Sequence, residues 1–369
     1  MLIWSGDRPN DNGQDTMPAL LITHLCFVDH DTGPGHPERP DRMRAIDKAL
    51  AHEMFEDLKR EEAPLREDVE ERILLAHPKR YLDSIKAARP AEGEEPVRLD
   101  PDTVLSSGSW EPALRAVGAG LHAVDQVMNP ETGIRKVFCQ VRPCGHHAEK
   151  ERAMGFCIFS NIAIAGLYAR EKHGAERIAV VDFDVHHGNG TQAIFETDPS
   201  VLVISLHQYP FWPFSGSADE IGRGKGAGTT INVPLPAGVG DAGYARVFDE
   251  IVGPALARFR PDVLCVSAGF DAHWADPLAF MQVSCQGFSA LVGRLRQWAD
   301  ETANGRLALV LEGGYNLDAL GGSVVASLQT LAGLPVSDAL GPPPGQSDEP
   351  EVQPIIASVR AAHAGYGLL

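Results

Sequence analysis

A chain of 369 residues with 50 acidic and 32 basic side chains carries a formal charge of −18, which repels phosphate backbones and excludes nucleic acid as an expected partner. A basic protein tail or a polyamine is attracted instead. Hydrophobic residues make up 44%, enough core for one large α/β domain or two ordinary ones, and no run approaches the ~18 apolar residues of a membrane span.

Residues 1–16, MLIWSGDRPNDNGQDT, are polar and poorly patterned and read as a disordered lead, with Met17 an alternative start to Met1. No signal-peptide h-region follows, so the expected compartment is the cytoplasm. Helical patterns at 39–51 and 67–88 precede an acidic, Pro/Gly-containing loop, RPAEGEEPVRLDPDT (89–103). Apolar, β-branched runs then end repeatedly in polar or Gly-rich turns, at 136–147, 177–188, 201–208, 262–273 and 307–316. Helical segments at 112–128, 161–173, 241–258 and 287–303 lie around and between them. Such alternation predicts a mainly parallel α/β sheet covered on both faces, with ligands beyond the carboxyl ends of the strands. The aromatic, Gly-rich stretch HQYPFWPFSGSADEIGRGKGAGTT (207–230) suits a loop that shapes a site. Residues 335–354 read as an irregular wrap before a short final helix. No repeat or second domain is visible, so 17–369, with the C-terminal wrap 335–369, reads as one domain. Six cysteines form no C-x-x-C pair and read as reduced, mostly buried thiols.

The unusual polar residues fall at the strand ends. In DFDVHHGNGT (182–191), Asp182, Asp184 and His186 share the parity of an extended segment and project to one side. A carboxylate and an imidazole presented together suit a divalent metal, although a D-x-H triplet also caps helices. Asp271, after VLCVSAGF, would complete an Asp/His/Asp set, and three protein ligands leave room for water and substrate as in a catalytic zinc site. His146 and His147 follow Gly145, whose turn lets both line a cleft; one is a candidate general base. Tyr315 in LEGGYN is a candidate hydrogen-bond donor to an oxyanion, or a side chain packed on a helix start.

Taken together, DHDTGPGHPERPDR (29–42), RPCGHHA (142–148), MGFCIFSN (154–161), DFDVHHGNGT, SLHQ (205–208), SAGFDAH (267–273) and LEGGYN (311–316) resemble the zinc-dependent histone deacetylase and acetylpolyamine amidohydrolase family. The class II and bacterial branches are the most similar, and the blocks keep family order over roughly 20–330. The resemblance implies the arginase-deacetylase fold, a mainly parallel eight-stranded sheet between helices. It gives Asp184, His186 and Asp271 as zinc ligands, and His147 as general base and then acid. His146 supplies electrostatic support and Tyr315 polarises the carbonyl. Asp182 orients the first histidine and Asn189 the second, while His187 has no catalytic assignment. Structural potassium is also implied. Its nearer site matches Asp182, Asp184, His186, Ser205 and Leu206, and a second site matches Phe195, Asp198 and Val201.

The implied reaction is hydrolysis of an acylamide by a metal-activated water, releasing an acid, normally acetate, and an amine. Gly155 with Phe156 would form one wall of the substrate channel and Phe211 or Trp212 the other, with Leu278 and Gly314 completing it. The substrate is an acylated lysine side chain or an acetylated polyamine. FWPF followed by GRGKGAG resembles the loop of polyamine-selective members, but those carry a gatekeeper glutamate where this chain has Leu278. Leucine cannot attract a distant ammonium, which favours acyl-lysine, while Asp100 and Asp102 could compensate at the rim. A catalytically silent scaffold would have lost Tyr315 or the histidines, and an arginase-like dimanganese enzyme would need more metal-binding positions. Catalytic loops of relatives meet neighbouring subunits, so a dimer or tetramer is an expectation too.

Overall fold

The computed structural model describes residues 19–345 and 348–369, so the lead 1–16 and the choice between Met1 and Met17 lie outside the described residues. Among the described residues, ten strands follow in chain order: β1 (Ala19–Thr23), β2 (Lys59–Glu62), β3 (Val97–Arg98), β4 (Val104–Leu105), β5 (Lys136–Cys139), β6 (Ile178–Asp182), β7 (Val201–Gln208), β8 (Thr230–Leu235), β9 (Val263–Ala268) and β10 (Leu307–Leu311). Strands β3 and β4 pair antiparallel. The other eight form one sheet in the order β2-β1-β5-β10-β9-β6-β7-β8, every pair parallel.

The central strands are continuous apolar runs such as LALVL, IAVVD and VLCVSA, buried at every position, as a sheet flanked by helices requires. Edge strand β2 reads KREE and is exposed at three of its four positions; its charges discourage a further strand from pairing there. Neither β1, β2 nor β8 is among the runs read from the sequence. Strand β2 has no apolar signal at all and exists because β1 supplies its hydrogen bonds.

The helical pattern at 67–88 is in fact two helices, Val69–Ile73 and Lys79–Ala87. Pro78 lacks an N–H and disfavours helical angles at His77, so the chain breaks there. The segment 241–258 is continuous but contains a π-turn at Phe248–Val252. The helices Trp110–Met128, Asn161–His173 and Cys285–Thr302 fall within two residues of their expected bounds. In the wrap, the Glu349 carboxylate accepts the N–H groups of Gly240, Ala242 and Gly243, and the final helix Gln353–Ala362 buries Ile356 and Val359.

Five neighbouring strands, β5, β10, β9, β6 and β7, end on the same side of the sheet. Their exits carry His146 and His147, Tyr315, Asp271, Asp184 with His186, and Phe211 with Trp212, respectively.

Candidate active site

Strand β6 ends at Asp182, and beyond it the chain bends over 184–186 while Phe183 and Val185 stay fully buried in the core. Asp184 accepts the Gly313 N–H at 2.8 Å and the His186 N–H at 2.9 Å, while Asp271 accepts the Val185 N–H at 2.9 Å. These bonds aim one carboxylate oxygen of each aspartate and one nitrogen of His186 at a common point, all three within 4.8 Å of one another. Backbone approaches so closely that a Cβ on Gly269 would lie 2.0 Å from Asp184 Oδ2, and one on Gly313 2.2 Å from Asp271 Oδ2.

Burial, and then Asp184, push the Asp271 carboxyl up. Burial opposes charge on Asp184 as well, but the neighbouring histidines outweigh it and hold the carboxyl well below the usual range. The His186 imidazole is buried, yet its hydrogen bonds to Asp184 and Asp271 raise it to about 10. Two carboxylates and an imidazole converging from one side make an O,N,O donor set suited to zinc with open positions.

The tandem histidines stand beside this cluster, ring centroids 3.9 Å apart, in different environments. His146 Nδ1 lies 2.9 Å from Asp182 Oδ2, and His147 Nδ1 2.8 Å from Asn189 Oδ1. The Asn189 amide is oriented by its other end, where Nδ2 donates to Glu149 Oε1 at 2.8 Å. An asparagine oxygen thus faces His147, whose Nδ1 donates and whose Nε2 keeps its lone pair. Burial disfavours charge on both rings. For His146, Asp182, Asp184 and Glu312 outweigh burial and raise it well above the usual value. For His147, burial, His146 and His186 together push it well below. The two rings are thus pushed in opposite directions, the first towards its charged form and the second towards the free base, the divergence that separates acid–base roles.

A cavity of about 210 Å3 opens over the cluster. His147, His186 and Tyr315 form its floor; Phe156, Phe211, Trp212 and Leu278 its walls; and Asp102 lies at its edge beside Gly155. Phe211 stacks on His186 at 5.4 Å and Trp212 stands edge-on to His147 at 4.7 Å, so both aromatics serve the wall for which the sequence offered either. Phe156 meets Tyr315 at 5.8 Å from the opposite side. Gly155 has φ of +57°, and a Cβ there would lie 2.5 Å from both His147 Cδ2 and Trp212 Cη2. Burial pushes the Tyr315 hydroxyl well above its ordinary value, so it stays protonated as a donor. Gly314 does not line the cavity. Its carbonyl accepts from Arg42 Nε at 2.7 Å, one layer behind Tyr315. A larger cavity of about 720 Å3 lies between the helices Asp41–Ala49 and Leu317–Ala332, away from the converging donors, and does not compete as a catalytic site.

The histone deacetylase domain family matches residues 36–331. The chain belongs to the histone deacetylase family. It is 41% identical over 273 residues to a chloroplastic histone deacetylase 10 of Oryza sativa, covering 71% of this chain and 61% of that one. It is 40% identical over 341 residues to the human polyamine deacetylase HDAC10, covering 89% of this chain and 49% of that one. The crystal structure of the HDA15 HD domain superposes with a TM-score of 0.84 at 32% identity, over 95% of both chains, which places the protein in the arginase-deacetylase fold. This deacetylase therefore spans about half to two thirds of those two relatives' lengths. Its family is zinc-dependent in general, and it is an enzyme of the deacetylase class. No described helix is long and apolar enough to cross a membrane.

The deacetylase site also uses residues that carry no role in the sequence reading. Glu312 accepts the Gly145 and His146 N–H groups at 2.7 and 3.2 Å and the Ser267 hydroxyl at 3.1 Å, and burial pushes it up to about 7. Glu38 is fully buried between Arg42 and Arg142; Arg42 reaches on to the Glu312 and Gly314 carbonyls at 2.6 and 2.7 Å, clamping the Tyr315 loop. Asp276 accepts the Tyr315 N–H at 2.7 Å. Most of these lie inside the matching blocks, but only long-range contacts reveal the job. His187, without a catalytic assignment, has both ring nitrogens occupied, by Ser215 and Gln192.

The residues matching the nearer potassium site meet where β6 pairs with β7, Asp182 beside Ser205. Those of the second site share one turn, in which Asp198 N–H donates to the Phe195 carbonyl at 2.8 Å and Val201 N–H to the Asp198 carbonyl at 3.3 Å. The Asp198 carboxylate itself is taken by Arg170 at 2.6 Å.

Proposed function

We propose that this enzyme hydrolyses the amide of acylated lysine side chains, with acetyl-lysine as the reference substrate. The carrying observation is the opening of the Asp184, His186 and Asp271 cluster onto a cavity that also presents His147 and Tyr315. A zinc ion held by those three side chains would supply Lewis acidity, polarising a carbonyl and acidifying water. His147 Nε2 takes the proton of the attacking water and returns it to the leaving amine. His146 remains protonated on Asp182 and stabilises negative charge beside it. The Tyr315 hydroxyl donates to the carbonyl oxygen as it gains charge; one such donor is worth about 10²–10³ in kcat. The walls of Phe156, Phe211 and Trp212 hold a methylene chain and keep bulk water out.

Leu278 on the wall favours an uncharged chain over one carrying a second ammonium. The alternative substrate, an acetylated polyamine, is favoured by Asp102, half-buried at the cavity edge, which burial and then Asp100 push up to about 6. The human relative, named a polyamine deacetylase, points the same way. We further propose that 17–369 act as one catalytic unit in the cytoplasm, with potassium at the β6–β7 junction. Strands from Ala19 to Leu311 in one sheet, and the packing of the final helix, support the single unit.

Metal analysis of the purified protein should find about one zinc per chain. Exhaustive chelation should abolish cleavage of acetyl-lysine peptides, and zinc should restore it. Asp271→Ala should lose metal and turnover together. Full activity in metal-free protein would overturn the mechanism.

A further inference from the structure

Cys144 and Cys157 are buried, 3% and 0% exposed, and their sulfurs lie 3.2 Å apart. Among the described residues they are the only two thiols in mutual hydrogen-bond contact. Both also face the Gly155 carbonyl, at 3.8 and 3.3 Å. With Ala148 they form a small cluster, separate from the main core, against which Phe156 packs. A Glu312 oxygen lies within 4.8 Å of both sulfurs. Its oxygens are already engaged by Gly145, His146 and Ser267, so the group is a dithiol rather than a ready metal site.

Two short segments meet at this pair. Cys144 immediately precedes Gly145, His146 and His147, and Cys157 immediately follows Gly155 and Phe156. We propose that Cys144 and Cys157 are a redox modification site: a peroxide joins them in a reversible disulfide that turns the enzyme off. The formation of the bond stands by itself; the loss of activity rests on the function proposed above.

The chemistry balances. One sulfur, as thiolate, attacks a peroxide oxygen, the O–O bond breaks, and a sulfenic acid and one water result. The second thiol attacks the sulfenic sulfur, the S–S bond forms, and the hydroxyl leaves as a second water. Two electrons pass from the sulfurs to the peroxide, and the two thiol protons end in the waters. Burial raises the Cys157 thiol well above its ordinary value, so the first step is slow compared with that of an exposed thiolate.

The bond would draw sulfurs now 3.2 Å apart to about 2.05 Å. That pull falls on the two segments carrying His147 and the Phe156 wall, where Gly155 already has no spare room against His147. A displacement of about 1 Å at a reacting group costs on the order of 100-fold in rate.

The test treats the full-length zinc-loaded enzyme with hydrogen peroxide and reads intact mass, a peptide map and acetyl-lysine turnover. The expected result is loss of two hydrogens, a cross-linked peptide joining Cys144 to Cys157, and a fall in turnover on the order of 100-fold, reversed by dithiothreitol. Cys144→Ala should keep its activity in peroxide. Oxidation of Met154 would instead add an oxygen and resist dithiothreitol. Activity lost without the cross-link, a cross-link without loss of activity, or an equally sensitive Cys144→Ala would each overturn the proposal. Should the alanine variant fail to fold, the map of the unmodified sequence decides alone. An enzyme inactive on acetyl-lysine before oxidation would sink the function reading, while the map still decides whether the bond forms.

Discussion

At the scale of single residues, the pair His146 and His147 gains its function from what each Nδ1 meets. A carboxylate behind His146 keeps it charged; an amide behind His147, turned by Glu149, leaves it neutral. Replacing that amide by a carboxylate should narrow the difference. Asn189→Asp would stabilise the charged form of His147 and raise its pKa. Since the base must be neutral to accept a proton, the acid limb of the kcat/KM profile should move to higher pH. An unmoved limb would show that Asn189 does not set the basicity of His147. Leu278 makes a second residue-scale case, because it stands on the cavity wall. Leu278→Glu places a carboxylate where a distal ammonium would pass, and should move the ratio of kcat/KM values towards acetylated polyamines. A side-by-side panel of acetyl-lysine peptides and acetylpolyamines reads that ratio.

At the scale of elements, the site depends on loops held from behind. The β10 exit, with Glu312, Gly313, Gly314 and Tyr315, is gripped by Arg42 of the helix Asp41–Ala49 and by Asp276. Arg42 is positioned in turn by Glu38, which also takes Arg142 from the β5 exit and lies 3.5 Å from His30. Burial penalises the Glu38 carboxylate, but Arg142 outweighs it and keeps the group ionised. Removing that charge strands two buried guanidinium groups. Glu38→Ala should cost about 3–5 kcal/mol, measured by urea unfolding. A loss under about 1 kcal/mol would mean that solvent already reaches the arginines.

At the scale of the whole molecule, buried neutral imidazoles set the acid limit of stability. Burial lowers His30 and His77 from 6.5 to about 4. Between those values the unfolded chain binds more protons than the folded one, so stability rises with pH. Their contribution is complete above about 6.5 and is lost as pH falls towards about 4, on the order of 3 kcal/mol for each group. Glu312 works in the opposite direction, since burial raises it to about 7 and its neutral form favours the fold at low pH. His187 and His273, also lowered to about 4, act with this pair, while Asp102, Asp182 and Asp276, raised to about 6, 6 and 7, act with Glu312, so the histidine share is read as the drop in urea midpoint between pH 6.5 and pH 4.5 that a single histidine replacement removes. His77→Gln should flatten that drop. An unchanged drop in that variant would remove His77 as a cause.

Much of this was legible in the sequence because it is written locally. Apolar runs of strand length announced the five strands whose exits form the site, and the parity of Asp182, Asp184 and His186 announced three groups on one side. Seven short blocks in order named the family. Strands β1, β2 and β8 were not legible, since pairing rather than composition makes them strands. The break at Pro78 was readable in principle but was masked by the helical pattern on either side. What tertiary structure alone decided are the quantities that depend on distant neighbours. Burial and partner charge set which histidine is neutral, the position of the 276–280 turn puts Leu278 on the wall, and two loops brought together at β5 and Gly155 place one thiol against another. Local pattern fixes residue type and direction; the field and the free space at a side chain are sums over atoms that only the folded chain brings near.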